Sequence, residues 1–259
     1  MTKPSAYERI QKLSEVIKKY PNSSDAYMER GFQYDEMKNY DKAINDYDVA
    51  RKNNVDLERY YNAMGIAYSN KGNHKEAIFY YTKAISLAKE AYIFCNRGCS
   101  YDDIEDFDKA LEDYQQAIEL DEDCFEGYFN RSFTYNALSK KEVNSEKSKE
   151  YKLLSKGDLE KALLINPQSD KAARLLKKQI IEINKQENGE VNKEDDVEAI
   201  IAKIDKKSVI YLERKEIYKK RLRHFQVRMN TILELPIWNR TVRNIRTIPI
   251  DLLKSLPIH

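Results

Sequence analysis

Three cysteines, Cys95, Cys99 and Cys124, are the side chains of this sequence best suited to metal or redox chemistry. Cys95 and Cys99 are four residues apart and share one face if this segment is helical. A zinc site needs further ligands, and the histidines at 74, 224 and 259 provide no second ligand at a suitable spacing. We therefore interpret the cysteines as free, inert thiols and predict no metal and no cofactor.

Carboxylates and glycines give no indication of catalysis either. Asp102-Asp103 and the run Asp121-Glu122-Asp123 are typical of the solvated faces of an acidic chain. The 7 glycines do not form a phosphate-binding loop. The sequence thus predicts a protein that is not an enzyme, and its function must come from the surface that its helices present.

Small residues recur along the chain at a regular interval. Gly31, Gly65, Gly98 and Ser132 follow one another at steps of 34, 33 and 34 residues, and a tyrosine lies three positions after each. A second pattern of alanine and an aromatic or leucine residue follows each of them. Its members are Ala43, Tyr47 and Ala50; Ala77, Tyr81 and Ala84; Ala110, Tyr114 and Ala117; and Ser155, Leu159 and Ala162.

This pattern resembles the tetratricopeptide repeat (TPR), a pair of antiparallel helices, over about residues 5–183. The resemblance implies an all-α fold, an α-α superhelix or TPR solenoid, with a basic helical extension at its C-terminal side. Residues 5–20 have the phase of a lone second helix, and residues 169–183 have one apolar face. We therefore predict a TPR solenoid over residues 1–183, made of an N-terminal half-repeat, four repeats and a capping helix.

Glycine inside a helix costs about 1 kcal/mol relative to alanine, so its recurrence needs a structural reason. Close approach of the second helix of each repeat is that reason, and Gly65→Leu is predicted to destabilise the fold by overpacking. The fourth copy also carries 11 extra residues between Tyr135 and Ser155. Over residues 137–154, either both helices are longer or a polar loop protrudes.

In the family that the chain resembles, the first helix of each repeat lines a concave groove that holds peptides or helices. By alignment, the corresponding residues form an apolar floor with acidic margins. They are Met28, Phe32, Asp35, Asn62, Ile66, Tyr92, Asn96, Asp102, Glu126, Phe129, Asn130 and Phe133. Such a groove favours a basic amphipathic helix or peptide, and predicts a protein–protein interaction scaffold or adaptor. For any single aromatic residue in this set, a place in the core is the alternative.

Relatives that clamp the C-terminal carboxylate of chaperones resemble one another in a set of lysine, arginine and asparagine residues across three repeats. In this sequence the cations are missing from the matching positions, and Glu126 has the opposite charge. The sequence therefore argues against a chaperone-tail adaptor.

Beyond the repeats, the sequence predicts a polar linker over residues 184–196 and a basic helical segment over residues 197–259. From Ala199 onward there are 14 Lys or Arg residues against 5 Asp or Glu. A helix is predicted over residues 208–234, and Pro236 ends it. Three destinations remain open for this segment: its own solenoid, an anionic membrane or a nucleic acid.

Charge complementarity favours docking of residues 197–259 on the acidic groove of the same chain. The alternative function is a protein that associates with nucleic acid or anionic membrane through this segment. No apolar run reaches the roughly 18 residues that a membrane span needs. The start of the sequence does not resemble a secretion signal, and an odd number of cysteines is typical of a reducing compartment. We therefore expect a cytoplasmic protein.

Overall fold

The computed structural model describes residues 5–188, 202–204, 206–217 and 219–220. The chain divides into two compact units, Met1–Ser208 and Val209–His259. From residue 5 to residue 188 it forms ten α-helices in succession. They are α1 (Ala6–Lys19), α2 (Ser24–Glu36), α3 (Tyr40–Lys52), α4 (Leu57–Asn70), α5 (His74–Leu87), α6 (Ala91–Asp103), α7 (Phe107–Leu120), α8 (Phe125–Lys141), α9 (Ser145–Ile165) and α10 (Asp170–Asn188).

Each of these helices packs on the next one along the chain, and the first helices of successive hairpins, α2, α4, α6 and α8, also contact one another. This is the arrangement of a solenoid, in which each repeat contacts its neighbours only. The predicted all-α superhelix is therefore confirmed. Helix α1 occupies the place of the half-repeat, the four hairpins run from α2 to α9, and α10 occupies the place of the capping helix.

A tyrosine ring explains the recurring glycine of the first three hairpins. A Cβ atom added at Gly65 would lie 2.5 Å from Cε1 of Tyr81, and one added at Gly98 would lie 2.7 Å from Cε1 of Tyr114. Gly31 faces Tyr47 in the same way. These tyrosines are buried, so the ring has no room to move away. The close approach predicted from the glycines is thus between the first-helix backbone and a second-helix tyrosine.

The extra residues of the fourth copy lengthen both helices. Helix α8 has 17 residues where α6 has 13, and α9 has 21 residues where α7 has 14. The additions of four and seven residues are close to one and two helical turns. The helix faces therefore keep their phase, and the connection between the two helices, residues 142–144, stays short.

A buried arginine–aspartate pair joins the two helices in three of the four hairpins. Asp113 accepts two hydrogen bonds from Arg97, at 2.8 and 2.7 Å, and Asp46 and Asp158 accept the same pair of bonds from Arg30 and Arg131. Each guanidinium also lies over two aromatic rings of its own helix. Those rings belong to Tyr27 and Tyr34, Phe94 and Tyr101, and Tyr128 and Tyr135. The second hairpin has Met64 and Tyr80 at the corresponding positions.

Two boundaries differ from those predicted. Helix α10 continues to Asn188, five residues into the predicted linker, and the division between units falls after Ser208 rather than at residue 197. Within the first unit, Ile204 is buried in a cluster with Phe129 and Leu176, because its apolar side chain continues the surface between α8 and α10. In the second unit residues 209–217 and 219–220 are helical, and the remainder of the predicted 208–234 helix lies outside the described residues.

Candidate peptide-binding groove

A row of carboxylates lies along the starts of the first helices. Asp25, Glu58 and Glu126 are in the first turns of α2, α4 and α8, where the partial positive charge of a helix N-terminus stabilises them. Arg59 bonds Asp25 at 2.9 Å and Glu29 at 2.7 Å, which ties α4 to α2. We call Asp25, Glu29, Glu58 and Glu126 the acidic edge.

Tyr92 extends this edge onto α6. Its hydroxyl donates a hydrogen bond to Glu58 Oε1 at 2.9 Å, and its ring remains 48% exposed. Burial and the neighbouring Glu58 raise the pKa of Tyr92 to about 12, so the hydroxyl keeps its proton at neutral pH. The edge therefore offers an exposed aromatic surface beside ionised carboxylates.

A hydrogen-bond network connects α6, α7 and α8 below the groove surface. The Tyr114 hydroxyl donates to Asp102 at 2.7 Å, and Thr134 donates to both oxygens of the same carboxylate at 2.9 and 2.8 Å. The Asn130 amide donates to Cys99 Sγ at 3.2 Å. Burial raises the pKa of Asp102 despite these donors. Asp102 and Asn130 thus both take part in the contact between α6 and α8.

Two predicted groove residues prove to be core. Met28 is fully buried in a cluster with Tyr47 and Ala63, so its assignment to an open groove was wrong. Phe129 is 8% exposed and packs with Leu159 and Leu176. In the first and fourth repeats this position is therefore covered by core residues, whereas Asn62, at the same position of the second repeat, is half-buried.

The remaining predicted residues differ in accessibility. Asp35 is buried and accepts a hydrogen bond from Asn70 at 3.0 Å, and burial raises the pKa of its carboxyl group. Phe32 is half-buried against Tyr47, with ring centroids 5.5 Å apart. The Arg59 guanidinium lies over the Phe32 ring, 5.8 Å from its centroid. Asn62, Ile66 and Asn96 are half-buried, and Phe133 is 40% exposed.

The part of the groove between α8 and α10 is bordered by lysines, in contrast to the carboxylates of the acidic edge. A cavity of ≈390 Å³ there has an apolar floor of Phe133, Ala137 and Leu175. Its other lining residues are Asn136, Lys140, Lys141 and Lys178. We call it the lysine pocket. The predicted acidic margin therefore does not extend along the whole face, because the lengthened α8 places Lys140 and Lys141 at this end.

Sequence reasoning missed these lysines and also Lys171, whose ammonium lies 5.2 Å from the Phe129 ring centre and 5.5 Å from that of Phe133. Lys141 pairs with Glu105 at 2.6 Å. The adjacent lysines at 140 and 141 are visible in the sequence, but they lie in residues 137–154, for which longer helices and a polar loop were both left open. Only the packing of α10 beside α8 brings them to a common cavity.

No group of three or more metal-ligating side chains occurs in the part of the chain that the structure describes. Among those same residues, no helix is both long and apolar enough to cross a bilayer.

The helical hairpins and their repeating contacts define an α-α solenoid with a groove on its first helices. Tetratricopeptide repeat family models match the second hairpin, at residues 58–90, and the third, at residues 91–124. These two hairpins are thus tetratricopeptide repeats, as the sequence pattern predicted.

Relatives of this chain are much longer than it is. Sperm-associated antigen 1 of Mus musculus is 29% identical over 105 residues, which cover 40% of this chain and 10% of the relative. Tetratricopeptide repeat protein 12 of Homo sapiens is 32% identical over 77 residues, which cover 29% of this chain and 11% of the relative. The matches thus span about a tenth of the curated relatives' length.

Two solved structures show the same fold. MamA from Desulfovibrio magneticus RS-1 aligns with a TM-score of 0.53 at 18% identity, over 64% of this chain and 88% of that one. The human IFIT1 dimer with m7Gppp-AAAA aligns with a TM-score of 0.57 at 16% identity, over 71% and 44%. At such identities the likeness establishes architecture.

Proposed function

We propose that this chain is a non-catalytic scaffold that binds a basic amphipathic helix on the concave face of its solenoid. Its tetratricopeptide repeats support a protein–protein interaction role. The observation that carries the finer proposal is the acidic edge beside the exposed ring of Tyr92. An amphipathic helix matches this surface with its apolar side on the ring and its cations on the carboxylates.

Charge complementarity supports a basic ligand in particular. The acidic edge has four carboxylates, and Arg59 neutralises part of their charge. Because these groups are solvated, each contributes little to affinity but together they steer a cationic partner. We expect binding to weaken with added salt, since salt screens exposed charges.

The lysine pocket sets the direction of the ligand. Lys140 repels a cation, whereas Lys141 and Lys178 are paired with Glu105 and Glu182. The basic part of the helix therefore lies along the acidic edge and away from the C-terminal part of α8. Residues of the ligand that reach the lysine pocket are apolar or acidic. A helix with uniformly spread cations therefore binds more weakly than one whose cations are confined to one half.

The direct test measures fluorescence anisotropy of a labelled leucine–lysine helical peptide with the full chain. Glu58→Gln with Glu126→Gln is expected to weaken binding by roughly three- to tenfold. The matched control is Glu76→Gln with Glu112→Gln, which removes the same charge from exposed residues of α5 and α7. Equal affinities of the two double variants would refute the proposal.

The natural occupant that we favour is the basic segment of the same chain. Charge complementarity between the acidic edge and this basic segment supports the choice. A chain that ends at Ser208, the limit of the first unit, then binds the peptide more tightly than the full chain. Unchanged affinity would exclude self-occupancy and leave the groove to an external partner.

Association with nucleic acid or anionic membrane is the second candidate. Val209, Ile210 and Ile217 are exposed on the helical part of the second unit, which also exposes Arg214 and Lys219. A basic amphipathic helix of this kind binds anionic surfaces. Salt-sensitive binding of RNA or phosphatidylserine vesicles that disappears with residues 209–259 would favour this candidate over the scaffold.

A further inference from the structure

Two cysteines that are distant in sequence lie side by side in the fold. The Sγ atoms of Cys95, on α6, and Cys124, the N-cap of α8, are 3.5 Å apart, and both residues are buried. Cys99 lies elsewhere, within hydrogen-bond reach of Tyr114 and Asn130. The near pair is therefore not the pair that the spacing along α6 indicates.

The two thiols have unequal surroundings. Cys124 Sγ accepts a hydrogen bond from the Gly127 backbone N–H at 3.4 Å, at the positive end of the α8 dipole. The hydrogen bond between the two sulfurs lowers the pKa of Cys124, and the same bond together with burial raises the pKa of Cys95. The Gly127 N–H and the helix end favour a thiolate at Cys124, so we assign Cys124 as the attacking thiol and Cys95 as the resolving one.

A cavity borders Cys124, which is part of its wall. It measures ≈370 Å³ and lies between the α5–α6 and α7–α8 turns, with Tyr92, Cys124 and Phe125 in its wall. A water molecule occupies about 30 Å³ in the liquid, so a hydroperoxide fits easily. Lys89 and Glu126 also line this cavity and keep it polar enough for such a reagent.

We propose that Cys95 and Cys124 are a two-thiol modification site that a hydroperoxide oxidises to a reversible disulfide. The Cys124 thiolate attacks the peroxide oxygen, which breaks the O–O bond and gives a sulfenic acid and, for hydrogen peroxide, one water after protonation. The Cys95 sulfur then displaces the hydroxyl, which leaves as a second water with the Cys95 proton. Two electrons pass from sulfur to peroxide, and a dithiol reductant reverses the change.

The disulfide would tie α6 to the start of α8, beside Tyr92 and Glu126 of the groove. The proposal does not depend on what the groove binds, because it concerns the thiols alone. Its experiment therefore fails or succeeds separately from the peptide-binding assay.

The test treats the full chain with hydrogen peroxide and counts thiols after denaturation. Of the three free cysteines, one thiol remains, the intact mass falls by about 2 Da, and peptide mapping finds residues 95 and 124 linked. A reductant restores all three thiols. Retention of three thiols, a linkage that includes Cys99, or linkage only between two chains would each overturn the proposal.

Serine variants of the three cysteines show which thiol attacks the peroxide and which one forms the disulfide with it. Cys99→Ser still forms the disulfide, whereas Cys95→Ser accumulates a sulfenic acid that a 1,3-diketone probe labels at residue 124. Cys124→Ser forms neither product. Labelling of Cys95 in preference to Cys124 would contradict the assigned order, and circular dichroism confirms that each variant is folded. The mapping of the unaltered chain decides the proposal even if a variant does not fold.

Discussion

The second repeat (α4–α5) and the third (α6–α7) form the same helical hairpin, but different side chains join the two helices in each. In the third repeat, Asp113 is buried and accepts two hydrogen bonds from Arg97. In the second, the corresponding residues are Met64 and Tyr80, and Met64 is buried in an apolar cluster. The family models match both repeats, so a single backbone plan accommodates both interfaces.

The neighbouring groups change along with the pair. In the third repeat Arg97 also donates to Thr82 of the preceding helix, at 3.0 Å. At the equivalent place in the second repeat, Asp48 accepts a hydrogen bond from Tyr60 at 2.8 Å, while Tyr80 stacks on Tyr68 with centroids 5.3 Å apart. A buried ion pair is therefore one of two ways to fill the interface, and the apolar one avoids the cost of desolvating two charges.

The largest difference between the repeats is expected on breaking the ion pair. Asp113→Ala leaves the Arg97 guanidinium half-buried without its carboxylate, and we expect a loss of about 3–5 kcal/mol in the free energy of unfolding. Urea denaturation measures this, with Asp108→Ala, an exposed residue of the same helix, as the control. A loss no greater than that of the control would show that the pair is not a structural element.

Both repeats share the glycine–tyrosine contact, and we expect its disruption to reduce stability by a similar amount in each. Gly65→Leu and Gly98→Leu force a side chain into the rings of Tyr81 and Tyr114, and overpacking of this kind costs about 1–3 kcal/mol. Thermal unfolding measures the effect. Gly157→Leu is the control, because no atom lies within 4 Å of a Cβ added there. Unchanged melting temperatures for the first two variants would contradict the glycine–tyrosine contact.

Transfer of the second repeat's residues to the third should recover stability. The double variant Arg97→Met with Asp113→Tyr is expected to unfold within about 1 kcal/mol of the original chain, because an apolar replacement of a buried ion pair is often neutral. The exposed Thr82 hydroxyl that loses its donor is solvated by water. A double variant as unstable as Asp113→Ala would mean that the two interfaces are not interchangeable.

The smallest expected effect is a pH dependence that the third repeat has and the second lacks. Asp102 occupies the position of Ser69, and burial raises the pKa of its carboxyl above the unfolded value of about 4. Its contribution to stability is therefore fully present below the unfolded pKa and is lost as the pH rises through the folded pKa.

Urea denaturation between about pH 4 and 7 tests this dependence against the variant Asp102→Ser. The stability of the original chain relative to this variant is expected to decline with rising pH. Asp108→Ser, which removes an exposed carboxylate of the same repeat, is the charge-matched control. A relative stability that increases with pH would reverse the sign assigned to Asp102.

The sequence was sufficient for the order of helices and for the contact at the glycines, because both follow from a period of 33 to 34 residues. The Arg–Asp pairs could have been found too: Arg30 and Asp46 have the same 16-residue separation as Arg97 and Asp113. In the fourth repeat the insertion widens the separation of Arg131 from its aspartate to 27 residues and hides the pattern.

Other features depend on contacts that no local pattern records. Met28 and Asn62 occupy equivalent positions, but the first is fully buried and the second half-buried, because the depth of a side chain depends on what the adjoining repeat places over it. The lysine pocket requires α10 to pack beside α8, and the sulfur pair requires α6 to meet the cap of α8. Such arrangements become visible only in three dimensions.

The lengthening of the fourth hairpin by four and seven residues shows how this architecture tolerates growth. At 1.5 Å per residue, the added residues lengthen α8 by about 6 Å and α9 by about 10 Å. The body of the hairpin below, including the bond from Arg131 to Asp158, stays in place. A solenoid repeat can therefore gain a new surface at its rim without any rearrangement of its interior.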